Sequence, residues 1–352
     1  MTEIDDRKAA VLTAIVREYV ADGEPVGSKR VTEGHSLGVS AATVRADMAA
    51  LEGAGYITQP HTSAGRIPTD MGYRYFVNAL TGTTTPTPEQ LAAIEGLLLG
   101  SGDLEDLLRR TSSVLSRLTR FAALVVAPQL DRSQLRHIEL VHLGPRSVLA
   151  VLIADTGRVE KRMLDLDLDR PVAGYDVQRA RHAVNEATHG LQLAHAPDVI
   201  AGLAAGAPDE LRALVEAVAD AVRQGLTGGI SSEQVFLGGT ASLAGPGYFD
   251  RLEQVQQVYE TMEEQVVVLQ MLRDTLAHGD PAIRIGTELP LVELAACSVV
   301  ASTYETRGGS AGSLGVLGPT RMDYPKTLAA VQAVASSLEK ALGQLVGEPS
   351  DS

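Results

Sequence analysis

The stretch SAATVRADMAALEGAGYITQPHTSAGRIPTDMGYRYFV, residues 40–77, contains the signals that decide the fold of the amino-terminal part of the chain. Ser40 is a good helix N-cap, and the run after it predicts a helix that ends near Gly53. Residues 56–67 then predict two short strands joined by a Thr-Ser-Ala-Gly turn. Thr69 caps a further helix. The expected order is therefore helix, hairpin, helix.

Two more helices are predicted upstream of this stretch. Apolar side chains recur at helical spacing from Leu12 to Tyr19, and this first helix should end near Gly23. A short second helix follows, with Ser28 as its expected cap. This order is that of a helix-turn-helix, and the hairpin after it makes a winged helix. On pattern alone, any three amphipathic helices would look the same.

In a helix-turn-helix module the third helix lies in the major groove and its first turn meets the base edges. The stripe from Ala41 to Leu51 should face the core, while Thr43, Arg45 and Asp47 point elsewhere. The candidate base-contacting residues are Ser40, Ala41, Thr43 and Arg45. The candidates for contacts to the phosphate backbone are Lys29 and Arg30. The candidates for anchoring the hairpin on DNA are His61, Thr62, Ser63 and Arg66.

A catalytic role for the hairpin is disfavoured. His61 and Ser63 are close neighbours in a turn, and no acidic residue is placed to orient the histidine. The plainer alternative is that His61 packs against the hairpin without any contact to DNA.

Composition limits the other classes of protein. The 352 residues carry a net charge of −14, but residues 1–80 hold eight basic and ten acidic side chains, so most of the negative excess lies beyond them. A directed DNA contact is compatible with that balance. The single cysteine, Cys297, excludes an intrachain disulfide, and the scattered histidines predict no metal site. No cofactor is expected. The acidic amino terminus has no apolar targeting segment, and we expect a cytoplasmic protein.

The rest of the chain predicts an α+β organisation. A Thr/Pro-rich linker is expected at 83–100, after a DNA-binding domain at 1–82. Strand-like runs at 101–166 and 281–345 look like two parts of one α+β domain. The helical insertion between them, 167–280, has an apolar stripe from Leu252 to Leu269, which is either plain core or a subunit interface. A short tail at 346–352 is expected to be disordered.

Three segments resemble one known family. The run from Ser40 through the Q-P-H-T-S-A-G-R-I-P-T-D turn, the segment LRHIELVHLGPRSVLAVLIADTGRVEKR at 135–162 and GSLGVLGPTRMDYPKTLAAV at 312–331 are similar to the heat-inducible transcription repressor HrcA family of bacteria. Met71 stands where that family commonly has lysine, and Leu289 where it commonly has asparagine.

The resemblance implies a non-enzymatic, dimeric repressor with a winged helix, a GAF-like domain and an inserted dimerising domain. It implies binding to the inverted-repeat CIRCE operator upstream of chaperone operons. It also implies that the GroEL chaperonin promotes the active form, so that heat shock relieves repression.

Two other functions stay open on the sequence. The GAF-like domain could bind a small effector and make the chain a ligand-sensing regulator, although the sequence shows no group of polar residues that would identify a ligand. Asp155-Thr156-Gly157 matches the aspartic-protease tripeptide, but a turn between strands explains those residues without catalysis.

Overall fold

A computed structural model describes residues 4–61, 64–80, 86–128, 133–166, 171–227, 234–245, 248–249, 251–306 and 311–345 of the chain. Helices and strands are both abundant and partly segregated along the chain, which confirms the predicted α+β class. The residues fall into an amino-terminal helical module, a five-stranded sheet covered by helices, and a three-stranded sheet with helices of its own.

The amino-terminal module has the predicted order of elements. Its elements are α1 (Asp6–Asp22), α2 (Ser28–Gly34), α3 (Ala41–Gly53), β1 (Ile57–Thr58), β2 (Ile67–Pro68) and α4 (Asp70–Asn78). The caps explain where helices begin, because the Ser40 and Thr69 hydroxyls each accept a backbone N–H of the first turn, from Thr43 and Gly72 respectively. The prediction for Ser28 was wrong: it is the buried first residue of α2, and Gly27 precedes it as a cap without a side-chain hydrogen bond.

The expected linker at 83–100 contains a helix, α5 (Pro88–Leu98). Thr87 and Gln90 form a capping box at its start, and Ile94 and Leu98 are buried. The apolar positions of α5 are few, but they suffice to pack it against the two long helices of the next module.

The five-stranded sheet is antiparallel and draws its strands from distant parts of the chain. Its strands, in spatial order, are β7 (Val235–Gly238), β3 (Ala122–Val126), β10 (Ala311–Pro319), β9 (Cys297–Glu305) and β8 (Ala282–Ile285). One face packs against α6 (Leu104–Thr119) and α12 (Tyr324–Leu345), and the other against α10 (Leu252–Glu263) and α11 (Gln265–Leu276). All residues of β3 are therefore buried.

The three-stranded sheet forms a separate core, and this changes the predicted division of the chain. Its strands are β4 (Leu135–Gly144), β5 (Ser147–Ala154) and β6 (Val159–Asp165), and they pack against α7 (Gly174–Thr188), α8 (Ala196–Gly206) and α9 (Asp209–Thr227). The expected boundaries at 166 and 280 are wrong, because β4–β6 share a core with the inserted helices. β7, α10 and α11 belong with the five-stranded sheet. The described residues of the insertion are 133–166 and 171–227.

The apolar stripe from Leu252 to Leu269 is not one continuous helix. Glu264 breaks the helical geometry, and the prediction holds only in part: Met262 and Leu269 of the stripe are buried, but Leu252 and Val266 are exposed, and Val258, outside the stripe, is buried. The tail at 346–352 lies outside the described residues.

Candidate nucleic-acid interface

The start of α3 presents a small group of predicted site residues to solvent. The Ser40 hydroxyl lies 3.2 Å from the Thr43 amide and 3.1 Å from the Thr43 hydroxyl. Ala41 and Thr43 are half-buried, whereas Arg45 is exposed and makes no hydrogen bond or ion pair within the described chain. An exposed guanidinium that has no partner among the described residues is available to a base edge or a phosphate.

An ion pair between the half-exposed Arg7 and the buried Asp47 fixes α3 against α1. Asp47 is 3% exposed, and its two carboxylate oxygens accept hydrogen bonds of 2.8 and 2.9 Å from the Arg7 guanidinium. This corrects the prediction that Asp47 points away from the core. The signal was present in the sequence, since Asp47 continues the stripe of Val44, Met48 and Leu51 at helical spacing. The pair orients α3 without using Arg45.

The hairpin after α3 is tied to the start of α2. The backbones of Val26 and Arg66 exchange two hydrogen bonds of 2.9 Å, which adds a short third segment to the β1–β2 pair. Gly65 permits this approach, because a β-carbon there would lie 2.5 Å from the Val26 carbonyl carbon and oxygen. The Gln59 side-chain amide also donates to the Ala64 carbonyl across the turn. The described part of the hairpin is thus held in part by contacts to backbone atoms.

Two predicted hairpin residues are described and have different surroundings. His61 is exposed, and its backbone carbonyl accepts from the Ala64 amide at 2.9 Å. The Arg66 guanidinium is bound to Glu52 at the end of α3, at 2.8 and 3.0 Å, and is 22% exposed. In this structure Arg66 holds the hairpin to α3. Thr62 and Ser63 lie outside the described residues.

Lys29 and Arg30 are adjacent in α2 but differ in availability. The Lys29 side chain is 84% exposed, and its Nζ lies 3.7 Å from Glu33 Oε1, which makes a weak surface ion pair. Arg30 bridges Asp22 and Glu18, and hydrogen bonds to these two carboxylates raise its pKa above the ordinary value. A phosphate contact by Arg30 would compete with both acids, whereas Lys29 can turn toward DNA at little cost.

Asp155 and Cys297 could suggest catalytic chemistry, but each lies in an environment that explains it without catalysis. Asp155 lies in the turn between β5 and β6 and accepts the Gln134 backbone N–H at 3.0 Å, and its partial burial raises the pKa of its carboxyl. Burial raises the pKa of the Cys297 thiol to about 12. Within the described ranges, no cluster of three or more His, Cys, Asp or Glu side chains is placed to hold a metal ion. No described helix has the length and apolar content of a membrane span.

Comparison with known proteins finds relatives that align with nearly the whole chain. The family model described as the HrcA protein C terminal domain matches residues 105–328. Proteins named heat-inducible transcription repressor HrcA from Frankia casuarinae and Acidothermus cellulolyticus are each 45% identical. The alignments cover 98% and 97% of this chain and 99% of each relative. A crystal structure of a hypothetical protein shares the fold with a TM-score of 0.64 at 22% identity, covering 97% of this chain and 100% of the other.

These relatives put the chain in the class of transcriptional regulators rather than enzymes. The chain belongs to the heat-inducible transcription repressor HrcA family, and the resemblance predicted from its motifs is confirmed.

Proposed function

We propose that this chain represses chaperone operons by binding an inverted-repeat CIRCE operator as a homodimer, and that the GroEL chaperonin promotes its active form. The observation that carries the DNA-binding part is the start of α3. Arg45 is exposed there and has no hydrogen-bond or ion-pair partner among the described residues, on a helix that the Ser40 cap and the Arg7–Asp47 pair hold in place. The chaperonin part rests on family membership alone, as does a cytoplasmic location.

In this proposal the amino-terminal module is a winged helix, and α3 is its recognition helix. Ser40, Ala41, Thr43 and Arg45 meet base edges or the adjacent phosphates, and Lys29 contacts the backbone. The hairpin is the wing, whose tip, including His61, Thr62 and Ser63, lies against the DNA. Arg66 and Arg30 act mainly by bracing α3 and α2, because acids of the same module already hold them.

The outer face of the three-stranded sheet supports a homodimer. Helices α7–α9 cover one face of this sheet, while the other presents Val141, Leu143, Val159 and Met163, which are 38–57% exposed. β5 contributes Leu149, Val151 and Ile153 to the same face, so the strand is apolar on both sides. Glu139 and Lys161 lie beside Val151 on this face, so the exposed apolar residues have charged neighbours. Exposed apolar patches rimmed by polar residues are typical of interaction sites. A second copy pairing through this face would be two-fold symmetric, as a reader of an inverted repeat must be.

The domain assignment follows from these roles. Residues 1–82 form the DNA-binding domain, and the five-stranded sheet with its helices forms the GAF-like domain. β4–β6 with α7–α9 form the inserted dimerising domain. The alternative, a ligand-sensing regulator, requires a small effector bound by the GAF-like domain and stays a prediction.

Fluorescence anisotropy tests the proposal. The purified chain is titrated onto a CIRCE-type inverted repeat and onto a scrambled duplex, across a salt series, with and without chaperonin. Tight binding to the repeat alone, strengthened by chaperonin, is the expected result. Equal, weak binding to both duplexes at every salt concentration would refute the operator assignment. Binding that is specific but indifferent to chaperonin would refute only the chaperonin part.

A further inference from the structure

The DNA-binding module is joined to the five-stranded sheet by a group of polar contacts on α4. Asp70 and Arg74 are four residues apart, and both side chains reach the segment that follows β8. Their partners there are Thr287 and Glu288. These four residues are called the α4 docking cluster below.

The contacts of the α4 docking cluster are directional. One Asp70 carboxylate oxygen accepts from both the backbone amide and the hydroxyl of Thr287, each at 2.9 Å. The Arg74 guanidinium pairs with both carboxylate oxygens of Glu288, one of them at 2.7 Å, and also donates to the Ile283 carbonyl at 2.6 Å. A two-pronged contact of this kind fixes angle as well as distance. The Arg74 and Glu288 side chains are 29% and 25% exposed, so solvent screens them only in part.

The segment after β8 is shaped to receive α4. Gly286 has a φ of +54°, and a β-carbon on it would lie 2.2–2.4 Å from the Asp70 carboxyl group. Only glycine allows this approach. The Glu288 carboxylate also accepts the Ile285 amide at 3.0 Å, which holds its side chain in position for Arg74. An apolar contact lies beside the cluster, where the buried rings of Tyr73 and Tyr324 are 5.8 Å apart.

We infer that the α4 docking cluster sets the orientation of the DNA-binding module, and that it thereby determines which spacing between operator half-sites the dimer accepts. The inference rests on the proposed function. Each base pair inserted between half-sites rotates one of them by about 34° relative to the other and moves it by about 3.4 Å, because B-DNA has roughly 10.5 base pairs per turn. A dimer whose two modules are fixed rejects such a change. A dimer whose DNA-binding modules can rotate relative to the rest of each subunit tolerates it.

The test uses the full-length chain with substitutions on the sheet side of the cluster, so that no candidate DNA-contacting residue is altered. Thr287→Val removes the hydroxyl donor, and Glu288→Gln removes the charge that faces Arg74 while keeping its shape. Glu293→Gln is the matched control, because Glu293 is an exposed acid in the same module. Anisotropy is measured on a single half-site and on repeats whose spacer is natural or is one or two base pairs longer or shorter.

The wild type and the control should lose affinity by roughly tenfold or more when the spacer changes, whereas the Thr287→Val/Glu288→Gln variant should lose less than about threefold. Binding to the single half-site should be equal in all three proteins. If the double variant discriminates spacers as the wild type does, the inference is overturned. Weakened half-site binding would also overturn it, since the residues would then support the module's fold rather than its orientation.

Two further outcomes are separable. If the double variant does not fold, Glu288→Gln alone provides the same comparison. A wild type that prefers no spacing and no repeat would refute the proposed function itself, and the inference with it.

Discussion

Replacing Gly65 with alanine should loosen the hairpin from the start of α2. The new β-carbon would lie 2.5 Å from the Val26 carbonyl group, which belongs to the backbone and cannot rotate away. The hairpin must therefore shift, and the two 2.9 Å hydrogen bonds between Val26 and Arg66 are lost or stretched. At about 0.5–1.5 kcal/mol net for each bond, the local opening free energy should fall by about 1–3 kcal/mol.

Hydrogen exchange of the Val26 and Arg66 amides measures this directly. A fall of about 1–3 kcal/mol corresponds to a loss of protection of roughly 5- to 150-fold at these two amides. Gly53→Ala is the matched control, because Gly53 is the last residue of α3 and its added β-carbon meets nothing within 4 Å. In this control variant the Val26 and Arg66 amides should keep wild-type protection. Equal protection in Gly65→Ala and wild type would refute the argument that close backbone approach positions the hairpin.

Three further predictions concern DNA reading, assembly and pH. Arg45→Ala should cost about 1–3 kcal/mol of operator binding and relax specificity at one position of each half-site, as measured by anisotropy. In the same assay Lys29→Ala should weaken binding to all duplexes alike and lower the slope of log affinity against log salt concentration by about one. Met163→Lys should convert the dimer to a monomer in light scattering, while Val292→Lys, at a site 86% exposed outside that sheet, should not. Asp155→Asn should raise the melting temperature at pH 7, because the raised pKa of the folded carboxyl means that its charged form opposes folding. The gain should shrink as the pH falls through that raised pKa and be absent below the ordinary carboxyl pKa of 3.8, and a gain independent of pH would contradict it.

The amino-terminal module could be predicted because its signals are local. The Ser40 and Thr69 caps, the Gly23 helix end and the antiparallel hairpin depend on residues a few positions apart, and the structure confirms each. The position of Asp47 on an apolar stripe also indicates burial, although its charge favours a solvent-exposed position. Its partner, Arg7, is 40 residues away, and no local pattern identifies it.

The division of the remaining chain could not be read in the same way. Most strands of the two sheets were predicted as segments, yet β3 pairs with β7 and β10, more than a hundred residues later, while its neighbour in sequence, β4, pairs with β5. Periodicity identifies a strand but not its partner. The polar contacts of Arg74 with Glu288 escaped prediction for the same reason, since 214 residues separate them.

The central claim is that two copies of α3 read the two halves of an inverted repeat. Hydroxyl-radical footprinting of the wild type and Arg45→Ala, on the operator and on operators with single base-pair substitutions, tests it most directly. The account predicts two protected segments related by the two-fold axis of the repeat, with the symmetric loss of one base-pair preference in Arg45→Ala. A single protected segment, or a footprint and base preference unchanged by Arg45→Ala, would contradict it.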